Sequence, residues 1–269
     1  MTLRLALSAS PLSRLPFPMS QHVIMNQHTS NTWLSSDSKE LIDYYLNAAD
    51  VIVVERERCI KLLLDIFGYH FINKRNLRVL DLGCGDGTIT QRFNDAYPDH
   101  QYVLMDGSGD MIEKAKAKLH GAKNVTFIHE SFEEFIDTEG ANTTYDFIFS
   151  SNAIHHLDAI GKAKLYFKIY LTLNADGLFI NYDVVQPTTE RSEQWQFNMW
   201  REWMNEALIK KCRSEDVGKH DGLPDLYKSK QDNHPGPLID QLQILEKIGF
   251  KDVDCFFKYG IFALFGGIK

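Results

Sequence analysis

Apolar and polar positions along the chain follow two rhythms. Compact apolar runs at Arg78 to Leu82, Gln101 to Asp106, Val125 to Ile128 and Tyr145 to Ser151 read as strands, and the stretches between them, such as Thr88 to Tyr97, read as helices. Ahead of the first strand, Glu40, Leu41, Tyr44, Tyr45 and Leu46 fall at i, i+3, i+4 spacing. Val54 to Phe67 continues that pattern with Cys59, Leu62, Leu63, Ile66 and Phe67 on one face. Leu171 to Ile180 gives a turn and a fifth strand, with Gly177 expected to close the preceding helix. Arg191 to Lys211 is a long amphipathic segment carrying Trp195, Phe197, Met199, Trp200, Trp203 and Met204, and Gly218 to Pro237 reads as a mobile connection. The C-terminal part reads as a helix, a Gly249-Phe250 turn and a closing hairpin. Strands regularly followed by helices predict an α/β fold.

The most specific chemistry lies where the first strand runs into Asp81-Leu82-Gly83-Cys84-Gly85-Asp86-Gly87. Glycine at every second position lets the backbone turn tightly and approach a ligand, because residues with a Cβ resist those dihedrals. A dinucleotide fingerprint needs a third glycine where Thr88 stands, and no Gly-Lys-Ser/Thr follows for a phosphate loop. The segment resembles instead the D-x-G-x-G-x-G motif of class I S-adenosylmethionine-dependent methyltransferases, with Asp81, Gly83, Gly85 and Gly87 matching and Cys84 as a small residue of the cofactor loop.

The resemblance continues along the chain and implies a role for each further match. Asp106, ending the second strand about twenty residues past the glycines, is placed as the ribose-binding acid, with Gly107 beside it. Met111 is implied beside the adenine. Ser131 and Phe132 stand where relatives carry an adenine-recognising Asp and its neighbour, so the charged acceptor is replaced by a hydroxyl. Ser151 and the His155-His156-Leu157 triplet sit where donor and acceptor would meet, and either histidine could serve as a base. The implied fold is a Rossmann-like seven-stranded, mostly parallel sheet in the order 3-2-1-4-5-7-6, with helices on both faces. A helical insertion over about 188–237 would form a lid, and Tyr44, Tyr45, Arg56 and Arg58 could add to the pocket. The implied activity is methyl transfer from S-adenosylmethionine to a small-molecule acceptor, with no metal.

Two alternatives stay open. Phe197-Asn198-Met199 and the C-terminal segments from His234 to Gly267 are similar to the carboxy-S-adenosylmethionine synthase group, linked to tRNA wobble-uridine modification, although Leu223 to Leu238 offers no arginine as its carboxylate clamp. A non-catalytic cofactor-binding scaffold is the other, favoured by the substitutions at Ser131, Ala175 and Asp176.

Composition narrows the partners. A chain of 269 residues that is 44% hydrophobic suits one α/β domain, taken as 37–269 behind an extension over 1–36 that contains no acid and reads as a tail, a targeting segment or the product of an upstream start. A net charge of −7 with no long basic run disfavours a nucleic-acid substrate. Cys59, Cys84, Cys212 and Cys255 form no CxxC pair and suggest a reducing compartment, and no apolar run is long enough to span a bilayer, so a cytoplasmic protein is expected, with a homodimer compatible.

Overall fold

Each apolar run becomes a strand of one sheet because, between two layers of helices, only a strand apolar on both faces avoids stranding polar groups. The computed structural model describes residues 39–138 and 143–269; the expected extension over 1–36 lies outside them. The strands are β1 (Arg78–Leu82), β2 (Gln101–Asp106), β3 (Val125–His129), β4 (Tyr145–Ser151), β5 (Leu173–Val184), β6 (Lys251–Tyr259) and β7 (Phe262–Ile268). The helices are α1 (Lys39–Ile52), α2 (Arg56–His70), α3 (Thr88–Ala96), α4 (Gly109–Lys118), α5 (Phe132–Asp137), α6 (Ala159–Thr172), α7 (Glu190–Lys210), α8 (Leu223–Ser229) and α9 (Leu238–Ile248).

The seven-stranded sheet runs β3-β2-β1-β4-β5-β7-β6, as expected, with β7 antiparallel to both β5 and β6 and the other pairs parallel. Alternate residues of β4 feed opposite cores. Phe147 and Phe149 pack with Phe67 of α2 and Phe93 of α3, whereas Ile148 packs with Leu165 and Ile169 of α6 and Leu245 of α9. The order of strands reverses between β1 and β4, and that reversal opens a crevice at their carboxyl ends.

Two local expectations need correction. Gly177 does not close α6 in a left-handed turn; Asp176 takes the positive φ of 59°. Gly177 is required for a different reason, since a Cβ there would lie 2.8 Å from the Asn174 carbonyl. The stretch read as a connection between Gly218 and Pro237 contains α8, whose Pro224 sits in the first turn, where its missing N–H costs nothing.

Close approach also governs the β5–β7 seam. A Cβ on Gly266 would stand 1.9 Å from the Phe179 carbonyl oxygen, while one on Gly222 would meet nothing within 4 Å. Gly266→Ala is therefore expected to lower unfolding free energy by about 2 kcal/mol or more, and Gly222→Ala to change it by less than about 0.5 kcal/mol. Urea denaturation of the two variants checks this, and equal stabilities would contradict the close packing.

Candidate functional site

The crevice deepens into one cavity with two differently built halves. On the β1–β2 side, the N–H groups of Gly83 and Cys84 donate to the Met105 carbonyl at 2.8 and 3.0 Å, folding the glycine loop over the end of β2. Asp106 fixes the loop from the other side. Its carboxylate accepts from the Gly85 N–H at 2.9 Å and the Ser108 N–H at 2.8 Å, which leaves lone pairs on both oxygens for a diol. Burial pushes the Asp106 carboxyl upward, against the pull of those two N–H groups.

Gly85 and Gly87 serve different ends. At Gly87, φ is +74° and a Cβ would sit 3.1 Å from Leu104 and Leu119, so this glycine allows α3 to pack. Gly85 has φ +55°, and a Cβ there would meet no protein atom closer than Met111 Sδ at 4.0 Å. Its free space belongs to the cavity, which it lines with Met111 and Phe132. Asp81 lies beneath the loop and accepts from Thr90 Oγ1 at 2.6 Å; burial, then the charges of Asp106 and Asp86, push its carboxyl up to about 7. Burial also holds the Cys84 thiol well above its ordinary value, which suits a packing role.

Ser131 lines the cavity but its hydroxyl is engaged. It caps α5, accepting from the Glu134 N–H at 3.2 Å and donating to Glu134 Oε2 at 2.9 Å. The expected substitute for an adenine-recognising acid is thus largely a helix cap, because S-x-x-E closes a capping box.

The second half lies over the ends of β4 and β5. A short 3-10 turn, Ile154–His156, follows Ser151 and Asn152. Asp183, buried near the end of β5, accepts from the His155 backbone N–H at 2.9 Å and pairs with His155 Nδ1 at 2.6 Å. Burial pushes the Asp183 carboxyl up, but His155, the Val184 N–H and Lys162 outweigh it and hold it below its ordinary value. An ionised carboxylate only accepts, so we assign the proton to His155 Nδ1, leaving Nε2 as the basic nitrogen.

His156 is built differently. Its Nδ1 contacts the Asp232 carbonyl at 2.9 Å, and burial, then the adjacent His155, hold its imidazole down at about 3. The two histidines, either of which was expected as a base, both line the cavity but are held differently: His155 has the orienting acid, and His156 is kept neutral and fastened to the segment before α9. That segment is also joined to the turn by the His234 N–H on the His155 carbonyl at 2.7 Å and by Lys162 Nζ, which donates to the Leu157 and His234 carbonyls.

Helices α1, α7 and α8 roof the cavity. Trp200 Nε1 donates to the Ile52 carbonyl at 2.7 Å, Tyr182 Oη donates to the Val54 carbonyl, and Tyr44 Oη pairs with His220 Nδ1 at 2.8 Å. Of the aromatic residues of α7, Trp200 reaches the cavity; Trp195 is exposed and Trp203 packs edge-on against Tyr259. Tyr44, Tyr45 and Arg56 line the cavity, whereas Arg58 points away and pairs with Glu55 at the surface. Sequence reasoning missed Tyr227, Lys230 and Asn233 as lining residues, along with Phe262. The Gly222-Leu223-Pro224-Asp225 start signal could have revealed α8 and with it Tyr227.

Against known proteins, a family model described as a methyltransferase domain matches residues 73–236, well over half of the chain. Malonyl-[acyl-carrier protein] O-methyltransferase 1 of Ilyobacter polytropus is 30% identical over 105 residues, covering 39% of this chain and 37% of that protein. Carboxy-S-adenosyl-L-methionine synthase of Nautilia profundicola is 23% identical over 194 residues, covering 71% of this chain and 77% of that protein. The chain thus spans little more than a third of the first relative and over three quarters of the second. An O-methyltransferase family protein from Burkholderia thailandensis superposes with a TM-score of 0.59 at 15% identity over 88% of this chain and 61% of that one. The CurJ carbon methyltransferase gives 0.57 at 14% identity over 86% and 58%. At these identities the structural likeness is one of fold.

Two tests follow from the geometry. Gly85→Ala adds a methyl that meets no protein atom closer than 4.0 Å, so its folding cost is confined to about 1–3 kcal/mol of left-handed backbone strain, while affinity for S-adenosylhomocysteine is expected to fall more than about tenfold. Asp106→Ala should weaken that affinity to a similar degree, and calorimetry giving wild-type dissociation constants for both variants would remove this half of the cavity from cofactor binding. The second test concerns acid stability. His156 stays neutral in the folded protein down to about 3, whereas in the unfolded chain it takes up a proton below about 6.5. Its contribution to stability is lost as pH falls through that window, so His156→Gln should make the loss between pH 7 and 4.5 shallower by about 2 kcal/mol in urea titrations.

Proposed function

From the chain's membership of the methyltransferase-domain family, whose cofactor is S-adenosylmethionine, we propose that it transfers a methyl group to a small-molecule acceptor with His155 as general base. The observation that carries this reading is the His155–Asp183 pair beside a glycine loop whose Gly85 leaves ligand-sized room. The residues fit the cofactor: Asp106 presents free lone pairs for the ribose hydroxyls, Met111 and Phe132 offer apolar surface to the adenine, and Gly83 to Gly85 provide the backbone approach. When bound, S-adenosylmethionine supplies a methyl group on a sulfonium, which leaves as a neutral thioether.

The chain's own contribution is alignment and proton handling. Asp183 keeps the imidazole in the tautomer whose Nε2 accepts the acceptor's proton, and its buried charge stabilises the imidazolium that results. The roof of α1, α7 and α8 excludes water and acts as the lid. A net charge of −7 favours a small acceptor over a nucleic acid. No described helix is long and apolar enough to cross a membrane, and the four free cysteines fit a reducing cytoplasm.

The Nautilia relative favours a second reading, carboxy-S-adenosylmethionine synthesis. Against it, Arg56, the arginine lining the cavity, is committed to Asp50 at 2.5 Å. Intact mass of the nucleotide that copurifies separates the two readings.

Incubation with S-adenosylmethionine labelled in its methyl group and a metabolite extract is expected to label the small-molecule fraction. Asp183→Asn and His155→Gln should each cut that labelling by about 100-fold or more with unchanged affinity for S-adenosylhomocysteine. Label confined to protein or nucleic acid would contradict the small-molecule acceptor.

A further inference from the structure

Tyr227, on α8, carries a hydroxyl oxygen that is enclosed by protein and meets no hydrogen-bond partner. Buried polar groups in folded proteins are nearly always partnered, because an unmade hydrogen bond leaves the full desolvation cost unrecovered. The ring is held in place, edge-on to Trp200 at 5.9 Å and tilted over His155 at 5.8 Å, and Tyr227 lines the cavity at its acceptor end. Burial, then the charges of Asp183 and Asp232, keep the phenol's proton in place, so the hydroxyl is a neutral donor.

A second observation lies three residues on, just past the end of α8. Lys230 lines the same end, and among the described residues no carboxylate lies within ion-pair distance of it. The other long-chain cation of the lining, Arg56, is already neutralised by Asp50. The walls here also carry the amide of Asn233 and apolar surface from Trp200, Leu223, Val184 and Phe262. One unpaired positive charge and one orphaned donor match one negative charge with acceptor oxygens, and a lysine without an arginine fork suits a single-point anchor.

We propose that the methyl acceptor is an apolar monocarboxylic acid, anchored through its carboxylate by the Tyr227 hydroxyl and the Lys230 ammonium. This rests on the methyltransferase reading of the same cavity. The carboxylate is the anchor and not the nucleophile, because the His155–Asp183 pair is built to take a proton and an ionised acid has none to give. The acceptor therefore carries a hydroxyl or amine as well: its nucleophile forms the bond to the methyl carbon as the sulfonium–carbon bond breaks, and its proton passes to His155 Nε2.

Calorimetry on the full chain saturated with S-adenosylhomocysteine tests this with 3-phenylpropionate, 3-(4-hydroxyphenyl)propionate and octanoate, each beside its primary amide. At least one acid is expected to bind about tenfold tighter than its amide, and Tyr227→Phe and Lys230→Met should each reduce that preference by about threefold or more, leaving affinity for S-adenosylhomocysteine unchanged. Tyr227→Phe loses no bond in the free protein, so its melting temperature should equal or exceed that of the wild type. Acids binding no better than amides, no acid binding at all, a preference that survives both substitutions, or a lowered melting temperature for Tyr227→Phe would each overturn the proposal. Failure to bind S-adenosylhomocysteine would instead overturn the cofactor reading on which it rests.

Discussion

A carboxylate with almost no solvent, Asp183, organises the half of the cavity that lies over β4 and β5. It sits near the end of β5, where a charge is tolerable only if its lone pairs are filled, and the 154–156 turn fills them with a backbone N–H and an imidazole. Everything that touches this turn inherits its position. Lys162 reaches the Leu157 and His234 carbonyls from α6, and His156 holds the Asp232 carbonyl, so the segment entering α9 is set by the same buried charge. Removing one partner would leave the others with unmatched groups in an interior where rearrangement is costly.

Much of this was legible in the sequence because strands buried on both faces announce themselves. Gln101–Asp106 and Tyr145–Ser151 have the bounds their apolar runs predict, and the glycine loop followed from spacing alone. The positions hardest to read are those where one residue type serves two purposes. Ser131 lines the cavity where a ligand contact was expected, and its hydroxyl is also taken up by Glu134, three residues on. Gly177 was taken as a source of positive φ, when the need was for an absent Cβ. Asp183 was invisible for a related reason: a single acid at the end of an apolar strand has no local signature, and its meaning comes from a histidine twenty-eight residues earlier that only the β4–β5 pairing brings near.

The two halves of the cavity also differ in what relatives can say about them. The glycine loop and Asp106 lie within the matched methyltransferase-domain segment, and so do His155, Asp183 and α8. Yet α1, which closes the roof, lies before it, and Phe262 lies after it. Part of the cavity's lining is therefore written in stretches that the family pattern does not describe, which is why the family names a cofactor more readily than an acceptor.

The roof is fastened unevenly. On the glycine-loop side, α1 is tied to α4 by Asp43 and Lys114 at 2.7 Å, a pair open to solvent. The chain around its C-terminal end is held by the buried indole of Trp200 and the phenol of Tyr182, both donating to main-chain carbonyls. Dissolved ions screen the first kind of tie and leave the second almost untouched. Near that same end, Asp50 of α1 also pairs with Arg56 and Lys211, so added salt weakens ion pairs along the whole of α1 and leaves the two carbonyl contacts as the ties that persist.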